Sequence, residues 1–275
     1  MSRSPSKLKE LHTPRKELGQ NFLADKNILR KIVGAAEIKA TDTVLEIGPG
    51  MGHLTQVLLE TGAKIVSVEL DRSLVKNLQA ELATSSQVTV LEGDILQKPP
   101  QEWLAQAEAA PPYRVVANIP YYITSPILRY LLEAEPPPER IVLMTQREVA
   151  QQIIAKPPHA TLLGVSVQYY GTPRVVANVP AGAFYPRPKV DSAIVRIDVT
   201  TPASEMDTRQ FFKVVRAGFG AKRKQLHNAL AGGLQISADR VAVGLMRAKI
   251  DATRRAETLT LAEWNSLAHA IELDG

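Results

Sequence analysis

Cysteine is absent from the 275 residues, which excludes disulfides and thiolate metal sites and fits a reducing compartment. Histidine is scarce: His12, His53, His159, His227 and His269 stand far apart, without the spacing of a metal site, so no metal is expected. No apolar run approaches the roughly 18 residues that a membrane helix needs, so the chain is not expected to enter a membrane. The opening stretch MSRSPSKLKELH carries no apolar core of a signal peptide. A cytoplasmic location is the expectation that follows.

What is present describes a globular protein, with 45% hydrophobic and 22% charged residues. Single cores stop growing near ~250–300 residues, so a chain of this length suits one large domain plus a small one. A formal charge of +5 favours a polyanionic partner. Between residues 40 and 146 short apolar runs alternate with helix-length segments: TVLEIG (43–48), KIVSVEL (64–70), VTVLEGD (88–94), YRVVAN (113–118) and RIVLMTQ (140–146). That rhythm predicts α/β architecture, a Rossmann-like, mostly parallel sheet whose strands are buried on both faces. After a helix at REVAQQIIA, the stretches 164–179 and 190–199 read as an antiparallel terminal hairpin and a last strand. TTPASEMD (200–207) reads as a polar linker, and the pattern beyond it is wholly helical. The expected organisation is a flexible tail over 1–14, a catalytic domain over 15–200 and a small all-α domain over 201–275.

The first strand runs into GPGMGH, a G-x-G-x-G loop formed by Gly48, Gly50 and Gly52. Glycine serves where backbone turns sharply and a ligand must approach without a Cβ in the way. A dinucleotide fingerprint wants its third glycine where His53 stands, which weakens a pyrophosphate reading. Glu69 ends the second strand, where a carboxylate accepts both hydroxyls of a ribose, and Asp94 ends the third. Three such features at successive strand ends point to a nucleoside; taken singly, each equally suits a tight turn or a helix cap.

The fourth strand ends in VVANIPYYIT (115–124). Asn118 supplies an amide oxygen, Pro120 fixes the chain, and Tyr121 offers a flat face. An exocyclic purine amine is a poor nucleophile because its lone pair is delocalised into the ring. Two acceptors gripping its N–H bonds, the Asn118 amide and a nearby backbone carbonyl, favour the pyramidal nitrogen that attacks. An aromatic face holds a flipped or splayed base.

Read in order, GQNFL (19–23), EIGPGMGHLT (46–55), VELD (68–71), EGDIL (92–96), NIPYYIT (118–124), FYPRPKVDSAIV (184–195) and FFKVVRAGFGAKRKQLHNAL (211–230) resemble the signatures of the ribosomal RNA adenine N6-dimethyltransferases. The glycine loop alone is common to many methyltransferases; the ordered set, spanning nearly all of 15–270, is specific. The resemblance is closest to the bacterial branch that dimethylates two adjacent adenosines near the 3′ end of small-subunit (16S) rRNA. It implies S-adenosylmethionine as donor, contacted by Asn21 and Leu23, with Gly48 and Gly50 in the donor loop, Glu69 on the ribose, Asp94 at the adenine and Asn118 between donor and target. It implies that Phe184 joins Tyr121 in sandwiching the target base. The partners it implies are the small ribosomal subunit and its rRNA, engaged by a monomer.

Cations fit that partner. Residues 171–224 hold ten Lys/Arg against four acids. Arg209, Lys213 and Arg216 share one helical face, and Lys222, Arg223 and Lys224 are expected to open the helix after the turn at AGFGA, gripping phosphate. Two other functions remain open: a large-subunit (23S) rRNA methyltransferase of the macrolide-resistance type, and a non-catalytic RNA-binding assembly factor.

Overall fold

The computed structural model describes residues 14–15, 19–200, 207–221 and 223–271. The tail expected over 1–14, Pro14 apart, and linker positions 201–206 lie outside the described residues. The chain divides into two compact units, one of 1–150 with 172–200 and the other of 151–171 with 201–275. Residues 151–171 therefore group with the C-terminal helices, whereas the sequence pattern put them with the sheet.

In the first unit, strands β2 (Thr43–Ile47), β3 (Lys64–Glu69), β4 (Val88–Glu92), β5 (Tyr113–Asn118) and β6 (Arg140–Gln146) follow the apolar runs. They are parallel, and with β7 (Gly171–Val179) and β9 (Ser192–Val199) they form one seven-stranded sheet in the order β4-β3-β2-β5-β6-β9-β7. Leu45 pairs with Val66 on one side and Val115 on the other, and all three are fully buried. Burial on both faces is why these runs are apolar without alternation. Helices α1 (Lys26–Ala36), α2 (His53–Leu59), α3 (Arg72–Glu81), α4 (Pro100–Gln106) and α5 (Thr124–Leu132) make the connections. From β2 the chain works outward to β4, then returns to β5 on the other side of β2. A crevice opens at the carboxyl ends of strands where the order reverses in this way.

β9 runs antiparallel to β6, with Leu143 opposite Val195, and lies between β6 and β7. A separate two-stranded ladder joins β1 (Phe22–Leu23) to β8 (Phe184–Tyr185), pairing Phe22 with Tyr185 and Leu23 with Phe184. At the other end of the parallel strands, Arg114, Arg140 and Arg196 donate to the last carbonyls of α1: Arg114 and Arg140 to Ala36 at 2.8 and 3.1 Å, and Arg196 to Ala35 at 3.0 Å. Those carbonyls have no partner within the helix, and the negative end of its dipole favours cations.

The expected hairpin over 164–179 is corrected. Helix α6 (Arg147–Ile154) is followed by α7 (Leu162–Tyr170), and only 171–179 is strand. Thr161 caps α7 by accepting from the Gly164 N–H at 2.9 Å. The alternation in GVSVQYY misleads because this helix is buried over most of its surface, and a buried helix shows no 3.6-residue stripe. Tyr169 stacks on Phe211 at 4.3 Å between centroids.

Phe211 belongs to α8 (Thr208–Phe219), packed in the second unit with α9 (Leu226–Leu234), α10 (Ala238–Arg247) and α11 (Leu261–Ala270). Gly218 lets Trp264 of α11 close in: a Cβ there would stand 2.4 Å from the indole. The glycine thus serves helix packing rather than the turn the sequence suggested.

Candidate active site

One cavity, about 1060 Å³ counted out to its open mouth, occupies the crevice of the first unit. Every residue assigned from sequence to donor or target base lines it: Asn21 and Leu23, Gly48 and Gly50, Glu69 and Asp94, Asn118 and Pro120, Tyr121 and Phe184.

The glycine loop is held open by its own chemistry. Gly48, Gly50 and Gly52 all have positive φ, at 68°, 59° and 76°, which side chains with a Cβ rarely adopt. A Cβ on Gly50 would press to 3.1 Å on the Phe22 ring. The Gly50 N–H donates to Glu69 Oε2 at 3.0 Å, and the Asp71 N–H donates to Oε1 at 2.9 Å. Each carboxylate oxygen has two lone pairs and spends one on backbone, so Glu69 keeps acceptor capacity for two ribose hydroxyls. Burial pushes the Glu69 carboxyl above its ordinary value, against the Asp71, Gly50 and Leu70 N–H groups that favour the charged form. Asp94 does cap the turn that follows, accepting from the Leu96 N–H at 3.0 Å on Oδ1, and it also lines the cavity.

On the other side of β2, Asn118 ends β5 and Tyr121 opens a 3-10 turn, Tyr121–Ile123. Phe184 is only 6% exposed and packs into the main core cluster while bordering the cavity. The β1–β8 ladder therefore fastens the segment carrying Asn21 and Leu23 to the strand carrying Phe184. That segment is tied a second time where Gln20 donates to Asp71 at 3.1 Å.

A family model described as ribosomal RNA adenine dimethylase matches residues 11–272. The chain belongs to that family. Among its relatives is the ribosomal RNA small subunit methyltransferase A of Dehalococcoides mccartyi strain CBDB1, 48% identical over 92% of this chain and 87% of the relative. The protein of that name from Moorella thermoacetica is 42% identical over 94% of this chain and 93% of its own length. Of solved structures, the 23S rRNA methyltransferase ErmE is similar with a TM-score of 0.71, 28% identity and coverage of 91% of this chain and 99% of that one. A dimethyladenosine transferase from Plasmodium falciparum is similar with a TM-score of 0.74 and 26% identity, over 90% of this chain and 95% of that one.

For a dimethylase the sequence reading overlooked part of the cavity wall. Leu70 and Tyr122 also line it and are 53% and 64% exposed. Tyr122 was visible beside Tyr121. Leu70 carries no local signal beyond following Glu69. His53, standing where a dinucleotide fold has glycine, has Nδ1 3.0 Å from the Leu23 carbonyl and so ties the glycine loop to β1.

The cations of the second unit are placed as follows. Arg209, Lys213 and Arg216 are exposed along α8, whose other face buries Phe211, Phe212, Val214 and Val215. Arg223 and Lys224 are exposed, but they do not open a helix: α9 begins at Leu226, capped at Gln225. Lys224 instead closes a turn, its N–H donating to the Ala221 carbonyl at 2.9 Å, and Leu226 is the first residue there with a core to enter. Lys222 lies outside the described residues.

Glu46, two residues before the glycine loop, is fully buried and accepts from Thr55 at 2.8 Å and Ser67 at 2.6 Å on one oxygen. Burial raises its pKa to about 7, outweighing those two bonds. Between the ordinary 4.5 and about 7 the folded chain binds this proton and the unfolded chain does not. The contribution to stability is complete below 4.5 and is lost as pH rises through 7. Glu46→Gln keeps an acceptor and cannot titrate. In urea unfolding at pH 5 and pH 8, wild type should lose on the order of 3 kcal/mol relative to this variant across the interval; parallel pH dependence of the two would contradict a neutral Glu46.

Proposed function

We propose that the protein transfers methyl groups from S-adenosylmethionine to the N6 nitrogens of two adjacent adenosines near the 3′ end of small-subunit rRNA, during ribosome assembly in the cytoplasm. The observation carrying this reading is the convergence, on one cavity at the switch point of the sheet, of strand ends bearing Glu69, Asp94 and Asn118 with the aromatics Tyr121 and Phe184. Names of relatives support the small subunit: the 48% identical relative is a small-subunit enzyme, whereas the 23S enzyme of similar structure is 28% identical.

S-adenosylmethionine would supply a methyl group already activated on a sulfonium. Glu69 would hold its ribose and Asp94 its adenine, with Asn21 and Leu23 closing over it from the N-terminal segment. Tyr121 and Phe184 hold the target base. The Asn118 amide oxygen and the Ile119 carbonyl accept from the N6 amine, concentrating its lone pair on nitrogen. As N6 bonds to the methyl carbon, the C–S bond breaks and sulfur keeps the electron pair. The surplus proton then leaves N6 for solvent, so no strong base is needed.

Incubation with labelled donor and small subunits lacking the modification, followed by mapping of the label, tests this. Label on two adjacent adenosines of the small-subunit rRNA is expected; label on large-subunit RNA, or none, overturns the reading.

The exposed cations are assigned to rRNA backbone, which positions the subunit without reading its sequence. Replacing Arg209, Lys213 and Arg216 with alanine should weaken subunit binding and flatten its salt dependence by roughly 0.7–0.9 log units for each phosphate no longer neutralised. Unchanged affinity and slope in a filter-binding titration would leave these residues as a solvated face.

A further inference from the structure

The Tyr121 phenol oxygen lies 2.5 Å from Oγ of Ser192, a residue 71 positions later in the chain. Ser192 is fully buried and opens β9, opposite Gln146 of β6. The residue before it is anchored twice: the Asp191 carboxylate accepts from the Ala181 N–H at 3.0 Å, and the Asp191 carbonyl accepts from the Arg147 N–H, also at 3.0 Å. The Ser192 backbone is therefore held at the start of β9, and Phe184 lies on the same connection, between Ala181 and Asp191.

Tyr121 is the less constrained partner. It is half-buried in a 3-10 turn, where backbone leaves χ1 a choice among staggered wells. The bond to Ser192 both satisfies the desolvated hydroxyl and selects one ring orientation. We propose that Ser192 is a positioning residue for base capture: its hydroxyl locks the Tyr121 ring in the plane that sets the width of the slot between Tyr121 and Phe184. This rests on Tyr121 and Phe184 being the faces that hold the target base. The ordering of the ring is then completed on folding rather than on binding, which is preorganisation.

The test compares Ser192→Ala, Tyr121→Phe and the double variant on unmodified small subunits at saturating donor. Each single change removes one hydrogen bond and should lower kcat/KM for RNA about 3- to 10-fold, through KM. The double variant should be no worse than the worse single one, while donor affinity and the unfolding midpoint stay near wild type. In free protein labelled with 13C at tyrosine Cζ, Ser192→Ala should shift the Tyr121 resonance. Multiplicative losses, an unmoved Tyr121 resonance, or losses shared equally by donor affinity and melting would overturn the proposal. Should Ser192→Ala fail to fold, Tyr121→Phe breaks the same bond from the exposed side. Absence of any methyl transfer by wild type would instead sink the functional reading; stacking of an RNA oligonucleotide carrying 2-aminopurine, read by fluorescence in the same variants, decides the role of Ser192 in either case.

Discussion

Asn118→Ala is expected to lower turnover roughly 10²-fold or more, the loss typical of removing one preorganised contact to a transition state. Asn118 ends β5, where its backbone carbonyl oxygen would lie 3.8 Å from a Cβ placed on Gly48. On the proposed reading its side-chain amide stands between donor and target base, and the amide oxygen would bear on the one difficulty of the chemistry, the delocalised N6 lone pair. Its contribution grows as the nitrogen becomes pyramidal and its N–H bonds polarise, so ground-state affinities should move little. Single-turnover methylation with saturating RNA and donor isolates the step, and calorimetry should find donor affinity changed only a few-fold. Near-normal turnover would reduce Asn118 to the polar end of a strand.

The parallel half of the sheet was legible because its four inner strands, β2, β3, β5 and β6, are buried on both faces, so composition alone marks them; Ile65, Val66, Val115 and Val116 are fully buried. The site was legible for a related reason. In a doubly wound sheet the strand ends line the crevice, and finding the first four strand ends in the sequence finds Gly48, Glu69, Asp94 and Asn118 together. What stayed hidden depends on pairing between distant segments. Two-residue strands such as Phe22–Leu23 and Phe184–Tyr185 have no periodicity to read, yet their ladder brings the segment carrying Asn21 and Leu23 to Phe184. The place of β9 between β6 and β7 is likewise a tertiary choice. At 162–170 the local pattern favoured the wrong element, since burial on most sides erases the helical stripe. Arg223 and Lys224 were misplaced by the turn length: α8 ends at Phe219 and α9 does not begin until Leu226, which is fully buried.

Glu69→Ala should act on the other half of the reaction, weakening donor binding by roughly 10- to 150-fold for each charge-assisted hydrogen bond removed. The geometry adds a second route to the same result. Glu69 also accepts from the Gly50 and Asp71 N–H groups, so alanine leaves two part-buried donors without their acceptor and frees the loop that cradles the ligand. Glu69→Gln separates the two contributions: it keeps one oxygen for the backbone and removes the charge, so its loss should fall between wild type and alanine. RNA affinity should be spared in both variants, because on the proposed reading the carboxylate at the end of β3 touches donor and not RNA. A pH dependence follows from burial, which raises the Glu69 carboxyl above its ordinary value. Protonation removes the charged acceptor, so donor affinity should fall as pH is lowered through that raised pKa, at a higher pH than an exposed glutamate would give, and Glu69→Gln should lack this titration. Calorimetric donor affinities for the three proteins from pH 5 to pH 8 make the comparison, and affinity unchanged in Glu69→Ala would assign the residue to holding the loop alone.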